Sequence, residues 1–543
     1  MPDRRITRHV DNKNFARSTV VIIGAGVAGL CVAIDLLRRT PCRNFVILEK
    51  GSQPQEYVIH IAEEYGLYKY IRFNSVVQEA RWDDAQMQWT VGVAVSGGKD
   101  SEFVQSYELT TDFLVSAVGQ LNLPRWPTIA GLDNFTGKMM HSARWDWTYD
   151  FSGKRVAIIG NGATAVQIIP ELANSVLHLS VYQRTPNWTI PRYDWRVSSF
   201  QKFLLSRFPP FRWLKRSLCM LYCEATHTPV TNSQSMFSQQ VRRMTMLAIQ
   251  AQLPDKPDLW EKLIPNYPPG CKRILITDDY YPALNQKHVD LDTRPIRSIT
   301  KTGIETEDGQ IEEFDLIVLA TGFRTVEFMS PIRVFGRQGR PLAELWKDGA
   351  QAYRGVTVED MPNFGMLYGP NTNLGHNSII LMIEAQSRYL SVLINEVLRA
   401  RKSGKTLSLV PRPEVVHSYN EDLQARLAKS SFADPNCQSW YKTESGRITN
   451  NWPSRVVRYQ KDMDRVYLDE YLAEGTGKEL VKGKKVYLGR VVEESPVSYA
   501  TLMLGLVGVV VGGAYMNGYM SGIGPGRQKM RDLFGFVEGY FRR

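Results

Sequence analysis

The 543-residue sequence predicts an α/β fold with two Rossmann-like units, a helical insertion and an apolar C-terminal helix. Two glycine-rich turns, each lying between a β-branched run and a helical pattern, predict the two units. A helical pattern with interleaved aromatic and basic residues over 200–263 predicts the insertion. An uncharged and largely apolar stretch over 495–526 predicts the last helix.

The first unit begins with a buried parallel strand over 19–23. This strand runs into the turn Gly24-Ala25-Gly26-Val27-Ala28-Gly29, and a helix is predicted from Val27 to Arg39. The next strand, over 44–48, ends in Glu49, which follows Gly29 by 20 residues. At this spacing a carboxylate meets the ribose hydroxyls of a dinucleotide. Gly24, Gly26, Gly29 and Glu49 therefore form a predicted dinucleotide site.

The second unit repeats this pattern with different chemistry at the second strand. A strand over 155–159 leads into Gly160-x-Gly162-x-x-Ala165, and a further strand covers 179–182. That strand ends in Gln183-Arg184-Thr185-Pro186 instead of an acid. A cation at this position suits a 2′-phosphate and favours NADP over NAD. The alternative is that Arg184 is an ordinary surface residue.

Composition excludes several classes of protein. The formal net charge of +11 is spread along the chain, and no nucleic-acid-binding motif is present. The six cysteines show no CxxC pair and no zinc-ligand spacing, so we expect free buried thiols in a reducing compartment and no metal site. Residues 1–18 are charged and lack the apolar core of a signal peptide, so the chain is expected to begin on the cytosolic side.

A third motif precedes the second glycine turn and relates the chain to a family. It reads Phe135-x-Gly137-x-x-x-His141-x-x-x-Trp145-Asp146. Further motifs follow in order, namely Cys271-Lys272-Arg273, Ala320-Thr321-Gly322-Phe323 and Gly369-Pro370-Asn371-Thr372-Asn373. With these motifs the chain resembles the Baeyer–Villiger monooxygenases, a group of class B flavoprotein monooxygenases, over about residues 19–471.

The resemblance implies an activity and its cofactors. FAD would bind the first glycine turn, and NADPH the second. With O2, the enzyme would insert one oxygen atom next to a ketone carbonyl and give an ester or lactone. The alternatives are an N- or S-oxygenating class B flavin monooxygenase, or a catalytically impaired, membrane-attached relative.

The resemblance also implies roles for individual residues. Arg273 would be catalytic, because its guanidinium stays charged and can stabilise negative charge on the oxygenated flavin. Lys272, Arg184 and Thr185 would bind the 2′-phosphate, and Thr321 and Gly322 would contact cofactor. His141 could be a general base or, as we prefer, a hinge between the nucleotide domains. Residues 369–377 and Trp440-Tyr441 would lie on the substrate side.

One family fingerprint is missing after Glu49. It consists of a GG-x-W segment that continues to an aromatic-Pro-Gly and an Asp, whereas here Gly51-Ser52 leads directly into Gln53. In relatives this block covers the flavin ring and supplies the Asp that pairs with the catalytic arginine. The sequence thus predicts that some tens of residues are deleted at this junction.

The expected domain order follows from these assignments. Residues 17–130 and 326–490 would form the FAD domain and the substrate side, residues 131–195 and 269–325 the NADP domain, and residues 196–268 the helical insertion. The insertion could be a packed helix pair, a pocket-forming subdomain or a membrane-surface face. Ser495–Gly526 would be a transmembrane helix that places the protein at a membrane with its catalytic part cytosolic. The alternative is a helix buried against the globular body.

Overall fold

The computed structural model describes residues 16–52, 56–97, 104–192, 194, 196–227, 232, 234–437 and 439–489. The strands are β1 (Arg17–Ile23), β2 (Phe45–Leu48), β3 (Ile71–Arg72), β4 (Ser75–Asp83), β5 (Gln88–Val95), β6 (Ser106–Ser116), β7 (Lys138–His141), β8 (Arg155–Ile159), β9 (His178–Tyr182), β10 (Thr189–Ile190), β11 (Leu275–Ile276), β12 (Val289–Asp292), β13 (Ile296–Ile299), β14 (Gly303–Thr306), β15 (Ile311–Glu313), β16 (Leu316–Leu319), β17 (Arg333–Phe335), β18 (Phe364–Met366), β19 (Ser408–Pro411), β20 (Arg465–Tyr467), β21 (Tyr471–Glu474) and β22 (Lys485–Tyr487).

The α-helices alternate with these strands. They are α1 (Val27–Arg39), α2 (Glu56–Glu64), α3 (Ala165–Ala173), α4 (Ser199–Arg207), α5 (Pro209–Ala225), α6 (Met236–Gln252), α7 (Tyr280–Leu284), α8 (Leu342–Leu345), α9 (Ile379–Lys402), α10 (Pro413–Leu427) and α11 (Val456–Asp462).

The first sheet has eight strands and contains the first glycine turn. Its order is β17-β4-β5-β6-β1-β2-β3, with β18 paired to β6. Strands β1, β2, β3 and β6 run parallel, with Val20 opposite Phe45 and Phe113, whereas β4, β5 and β6 form an antiparallel meander. The four residues of β2 are all buried, as expected for a strand that helices cover on both faces. Helix α2 lies between β2 and β3 in the sequence, and these two strands pair in parallel.

The second sheet has five parallel strands in the order β12-β9-β8-β16-β7 and contains the second turn. Its core is formed by β-branched and leucine side chains of β8, β9 and β16 against α3 and α7. The structure therefore confirms the predicted α/β class and the parallel pairing of the strands beside both glycine turns.

The helical insertion buries only part of its apolar surface. Helix α6 packs into the core through Val241 and Ile249, which are 1% exposed. In α4 and α5, by contrast, Phe200 and Leu221 are each 68% exposed. A cleft of about 450 Å³ lies between these two helices and is lined by Leu204, Leu205, Phe211 and other side chains. Helix α6 is thus packed into the core, whereas α4 and α5 contact each other and leave apolar side chains exposed. The role of the insertion stays a prediction.

The structure contradicts the predicted membrane localisation. Among the residues it describes, no helix combines the length and the apolar character that crossing a bilayer requires. The segment Ser495–Gly526, on which the prediction of a transmembrane helix was based, lies outside the described residues. The membrane association inferred from it is withdrawn.

Candidate active site

The first glycine turn connects β1 to α1 and leaves room for a ligand. Gly24 has a φ of +105°, and a Cβ there would lie 2.6 Å from the carbonyl oxygen of Ala117. A Cβ on Gly29 would lie 1.9 Å from the carbonyl oxygen of Gly24. A Cβ on Gly26, in contrast, would meet no atom within 4 Å. Two glycines thus allow the close packing of strand and helix, and the third leaves open space at the helix N-terminus, where backbone N–H groups attract phosphate.

Glu49 lies at the mouth of this turn, where the second strand ends. One carboxylate oxygen accepts a hydrogen bond from the backbone N–H of Ala25 at 2.8 Å, and the other accepts one from the N–H of Gly51 at 2.8 Å. These bonds orient the partly buried carboxylate beside the glycine turn. This is the position from which an acid can contact a ribose.

The second glycine turn has the same construction on the second sheet. A Cβ on Gly160 would lie 2.6 Å from the carbonyl oxygen of Ala320, whereas one on Gly162 would meet no atom within 4 Å. Ala165 is fully buried at the start of α3. The side-chain amide of Asn161 donates to the carbonyl oxygen of Thr185 at 3.0 Å and thereby ties the turn to the end of β9.

Two cations lie close together beside this turn. Burial, and secondarily the charge of Arg184, lower the pKa of Lys272 to about 8. The ammonium of Lys272 lies 4.7 Å from the centroid of the Tyr267 ring, and the Arg184 side chain is exposed. Among the described residues, no carboxylate forms an ion pair with either cation. Two neighbouring positive charges without a protein counter-ion fit a dianionic ligand.

Arg273 follows Lys272 and faces two tyrosines. Burial raises the pKa of Tyr368 to about 12, and the nearby Arg273 charge opposes that rise. Burial also raises the pKa of Tyr441, and the nearby Arg273 charge opposes that rise as well. Tyr368 also donates to the side-chain oxygen of Asn373 at 2.8 Å. The structure thus brings Arg273 together with both segments that the sequence assigned to the substrate side, 369–377 and Trp440-Tyr441.

Hydrogen bonds to residues 448–451 hold the segment 369–377 in place. The side-chain amide of Asn371 donates to the carbonyl oxygens of Ile448 at 2.8 Å and Asn451 at 3.1 Å. The amide of Asn373 donates to the side chain of Asn451 at 2.9 Å. Because these amides are buried and paired, the segment has a defined shape beneath Tyr368.

Two connections link the sheets: residues 117–137 run from β6 to β7, and residues 320–332 run from β16 to β17. His141 lies at the end of β7 between these two connections. These connections pair with each other, since the N–H of Arg125 donates to Gly322 at 2.9 Å and the N–H of Arg324 donates to Leu123 at 3.0 Å. The His141 ring packs 5.8 Å from the Trp126 ring and 6.2 Å from the Phe323 ring. The hydroxyl of Thr321 donates to the carbonyl oxygen of Arg125 at 2.6 Å, so the predicted cofactor residue Thr321 also binds a connection.

The protonation of His141 follows from its surroundings. Its Nδ1 accepts a hydrogen bond from the N–H of Ala143 at 3.0 Å, which places the proton of the neutral ring on Nε2. Burial lowers the pKa of His141, and the carbonyl groups of Gly322 and Arg125 oppose that shift. Nε2 makes no contact of hydrogen-bond geometry. The ring is thus enclosed between the two connections, and the choice between a hinge and a general base stays a prediction.

The other members of this motif have packing roles. Gly137 lies under the Phe135 ring, and a Cβ there would come within 2.5 Å of that ring. Trp145 stacks on Phe151 with a centroid distance of 5.5 Å. Hydrogen bonds, first from Lys138 and then from Thr148, hold the pKa of Asp146 well below its usual range. The motif therefore fixes β7 and the segment after it to the second sheet.

The structure contains a disulfide that the sequence did not predict. Cys271 and Cys437 are bonded, with Cα atoms 6.0 Å apart, although the two residues are 166 positions apart in the sequence. The expectation of free buried thiols is wrong for this pair; of the four free cysteines, Cys42 is buried, Cys31 and Cys223 are partly buried, and Cys219 is exposed. A sequence gives no spacing signal for such a pair, because only the fold brings the two segments together. Among the described residues, no cluster of metal-ligand side chains is present.

A buried carboxylate from the insertion also contacts the segment 369–377. Glu224, near the C-terminus of α5, accepts from the side-chain amide of Asn377 at 2.8 Å and from the N–H of Val456 at 3.2 Å. The ring of His376 lies 3.6 Å from the same carboxylate. Burial raises the pKa of Glu224, but the nearby His376 ring and hydrogen bonds from Asn377 and Val457 outweigh burial and hold the pKa below its usual range. The sequence analysis did not identify this contact.

Two glycine turns on two sheets, with paired connections between them, are typical of an oxidoreductase that binds two dinucleotides. Comparison with known proteins makes this class more specific. A family model described as flavin-binding monooxygenase-like matches residues 40–235. The chain is 55% identical to the FAD-binding monooxygenase ktnD of Aspergillus niger, over 94% of this chain and 90% of that protein. It is 36% identical to a Baeyer–Villiger monooxygenase of Streptomyces coelicolor, over 83% of this chain and 92% of that protein.

Solved structures agree with this grouping. The crystal structure of OTEMO in complex with FAD and NADP matches with a TM-score of 0.70 and 25% identity, over 82% of this chain and 97% of the other. The closed structure of cyclohexanone monooxygenase shares the fold, with a TM-score of 0.69. The chain belongs to the Baeyer–Villiger monooxygenases of the class B flavin-dependent family. The family prediction is thereby confirmed, and these relatives do not support the N- or S-oxygenating alternative.

The Aspergillus relative also bears on the predicted deletion. The match spans 551 residues, more than the 543 of this chain, and covers 94% of the chain. That relative therefore contains residues for which this chain has no counterpart. This supports a deletion, and its assignment to the junction after Glu49 stays a prediction.

Proposed function

We propose that this chain uses NADPH and O2 to insert one oxygen atom next to a ketone carbonyl, giving an ester or a lactone. FAD would bind at Gly24, Gly26 and Gly29, with Glu49 on its ribose. NADPH would bind at Gly160, Gly162 and Ala165. Bound FAD, reduced by NADPH, supplies the activation of O2 and the transfer of one oxygen atom. The open space at Gly26 and Gly162 fits a pyrophosphate at each turn.

The adjacent positions of Lys272, Arg184 and Arg273 carry this proposal. Lys272 and Arg184, with Thr185, would bind the 2′-phosphate, since two unpaired cations there repel each other until an anion neutralises them. Arg273 would place a permanent positive charge where oxygen transfer develops negative charge, beside Tyr368 and Tyr441.

The connections that His141 holds would set the distance between the two cofactors. A backbone hydrogen bond joins Arg125 on one connection to Gly322 on the other, and the His141 ring packs against both connections. Any movement of one sheet relative to the other would have to change this contact. His141 and Thr321 would therefore act by positioning, without moving a proton.

The proposal is tested with purified protein supplied with FAD. We expect flavin absorbance, NADPH oxidation that depends on O2, and an ester product from cyclic or aromatic ketones detected by gas chromatography and mass spectrometry. The variant Arg273→Ala should still be reduced by NADPH but should lose ester formation by about 10²–10³-fold, the usual cost of one charge-stabilising donor. Arg297→Ala, an exposed arginine on β13, is the matched control and should behave as the wild type.

Three results would contradict parts of this proposal. Protein that cannot be reconstituted with FAD would remove the cofactor assignment. NADPH oxidation that yields hydrogen peroxide and no ester with every ketone tested would remove the oxygen-insertion assignment and leave an oxidase. Unchanged ester formation in Arg273→Ala would exclude Arg273 from the reaction.

A further inference from the structure

The Cys271–Cys437 disulfide joins the two segments that meet at Arg273. Cys271 immediately precedes Lys272 and Arg273, and Cys437 lies shortly before Tyr441. The charge of Arg273 acts on the buried Tyr441 side chain, so the two segments that the disulfide joins also lie close together at Arg273. The reaction proposed above uses neither cysteine.

The disulfide lies in a small apolar core of its own. Cys271 is 0% exposed and Cys437 is 3% exposed, and both pack with Trp188 and Tyr267. The indole N–H of Trp188 donates to the carbonyl oxygen of Tyr267 at 2.8 Å. The hydroxyl of Tyr267 donates to the carbonyl oxygen of Pro186 at 2.7 Å. This core thus connects the loop before Lys272 to the residues that directly follow Arg184 and Thr185.

The loop that carries Lys272 and Arg273 has few other backbone restraints near these two residues. The N–H of Cys271 donates to Pro268 at 3.3 Å, and that of Leu275 donates to Trp188 at 2.8 Å. Between them, neither Lys272 nor Arg273 forms a backbone–backbone hydrogen bond with any residue that the structure describes. The covalent bond at Cys271 is therefore the nearest strong restraint on the position of both cations.

We propose that the Cys271–Cys437 disulfide positions Lys272 and Arg273 and that its reduction weakens the binding of NADP. This inference rests on the proposed function, in which Lys272 contacts the 2′-phosphate. Reduction by a dithiol breaks the S–S bond and gives two thiols on the protein, while two electrons and two protons come from the dithiol, which becomes a cyclic disulfide. The loop then keeps the backbone hydrogen bonds of Cys271 and Leu275, the contact of Lys272 with the Tyr267 ring and its apolar packing, but no covalent restraint.

The first measurement counts thiols in protein purified without reductant. Alkylation with iodoacetamide in denaturant should label four cysteines, namely Cys31, Cys42, Cys219 and Cys223. After treatment with dithiothreitol in denaturant, all six should be labelled, as read from the intact mass. Six labels without reductant would overturn the proposal, because no disulfide would then exist to position the loop.

The second measurement compares nucleotide binding with and without the bond. Cys437→Ser removes the disulfide at the position farther from the cations, and Cys219→Ser, an exposed free cysteine on α5, is the matched control. The Kd for NADP+ should rise on the order of tenfold or more in Cys437→Ser, since small displacements of positioned groups cost up to about a hundredfold. The Kd for NAD+, which lacks the 2′-phosphate, should change little. The control should bind both nucleotides as the wild type does.

The same comparison is made on the wild-type chain before and after native dithiothreitol treatment, with the thiol count reporting how much disulfide has opened. This does not depend on the folding of a variant. Equal NADP+ binding by the oxidised and reduced wild type would overturn the positioning role alone. A wild type that binds no NADP+ would overturn the cofactor assignment and the positioning role with it. Parallel losses of NADP+ and NAD+ binding would indicate a merely structural disulfide and would also refute the proposal.

Discussion

The proton on Lys272 makes a quantitative prediction about NADP binding. The pKa of this lysine is lowered to about 8, first by burial and second by the charge of Arg184. The protonated form is the one that can bind a 2′-phosphate, and the phosphate itself remains a dianion above about pH 7. Binding strength should therefore be complete below the pKa and should decline as the pH rises through 8.

The size of the effect follows from the titration of a single group. A group of pKa about 8 is about 90% protonated at pH 7 and about 10% protonated at pH 9, so the Kd for NADP+ should rise about tenfold between them. Titration of flavin or protein fluorescence with NADP+ at each pH measures this change. In Lys272→Arg the guanidinium stays charged, so the Kd should be independent of pH over this range.

NAD+ is the internal control for the same titration, because it lacks the group that Lys272 would contact. A Kd for NADP+ that stays constant from pH 7 to pH 9 would refute the placement of the 2′-phosphate at Lys272. An equal pH dependence for NAD+ would assign the titration to another group.

Three further predictions concern groups that hold the site. Gly26→Val should weaken FAD binding by about 1–3 kcal/mol in equilibrium dialysis, because the valine side chain would enter the open space at the turn. Gly24→Ala should instead lower the thermal stability of the apoprotein, because the new Cβ would meet the carbonyl oxygen of Ala117. His141→Asn should slow ester formation by less than about 100-fold and leave the shape of its pH profile unchanged; loss of one limb of the profile would instead indicate a general base. Since the folded-state pKa of Glu224 is lowered, its contribution to stability should be fully present above the pKa of an unfolded glutamate and lost as the pH falls through the lowered pKa. Tm should therefore fall less steeply with acidification in Glu224→Gln than in the wild type.

The contact between Glu224 and His376 gives the insertion a defined relation to the substrate side. The carboxylate accepts from Asn377 and from the first N–H groups of α11, and it is only 8% exposed. A charge at this depth is stabilised by the hydrogen bonds that Asn377, Val456 and Val457 donate to it. Any movement of α5 would therefore move the end of segment 369–377. The exposed face of α4 and α5 has no comparable attachment among the described residues.

The sequence by itself determined the two glycine turns and the groups that follow them. Gly24, Gly26 and Glu49 lie within one strand–helix–strand unit, so local spacing decides their proximity, and the structure places Glu49 on the N–H of Ala25 as that spacing implies. The same holds for the second turn, where Asn161 joins Thr185. These patterns are local, and a local pattern can be recognised without the fold.

Tertiary structure alone decided which distant segments meet. Arg273 faces Tyr368 and Tyr441 although about a hundred residues or more separate it from each of them, and no periodicity relates these positions. The bond between Cys271 and Cys437 is of the same kind, and the sequence predicted free thiols there. Contacts of this range depend on how two sheets and their connections pack, which is a property of the whole core and not of any window of sequence.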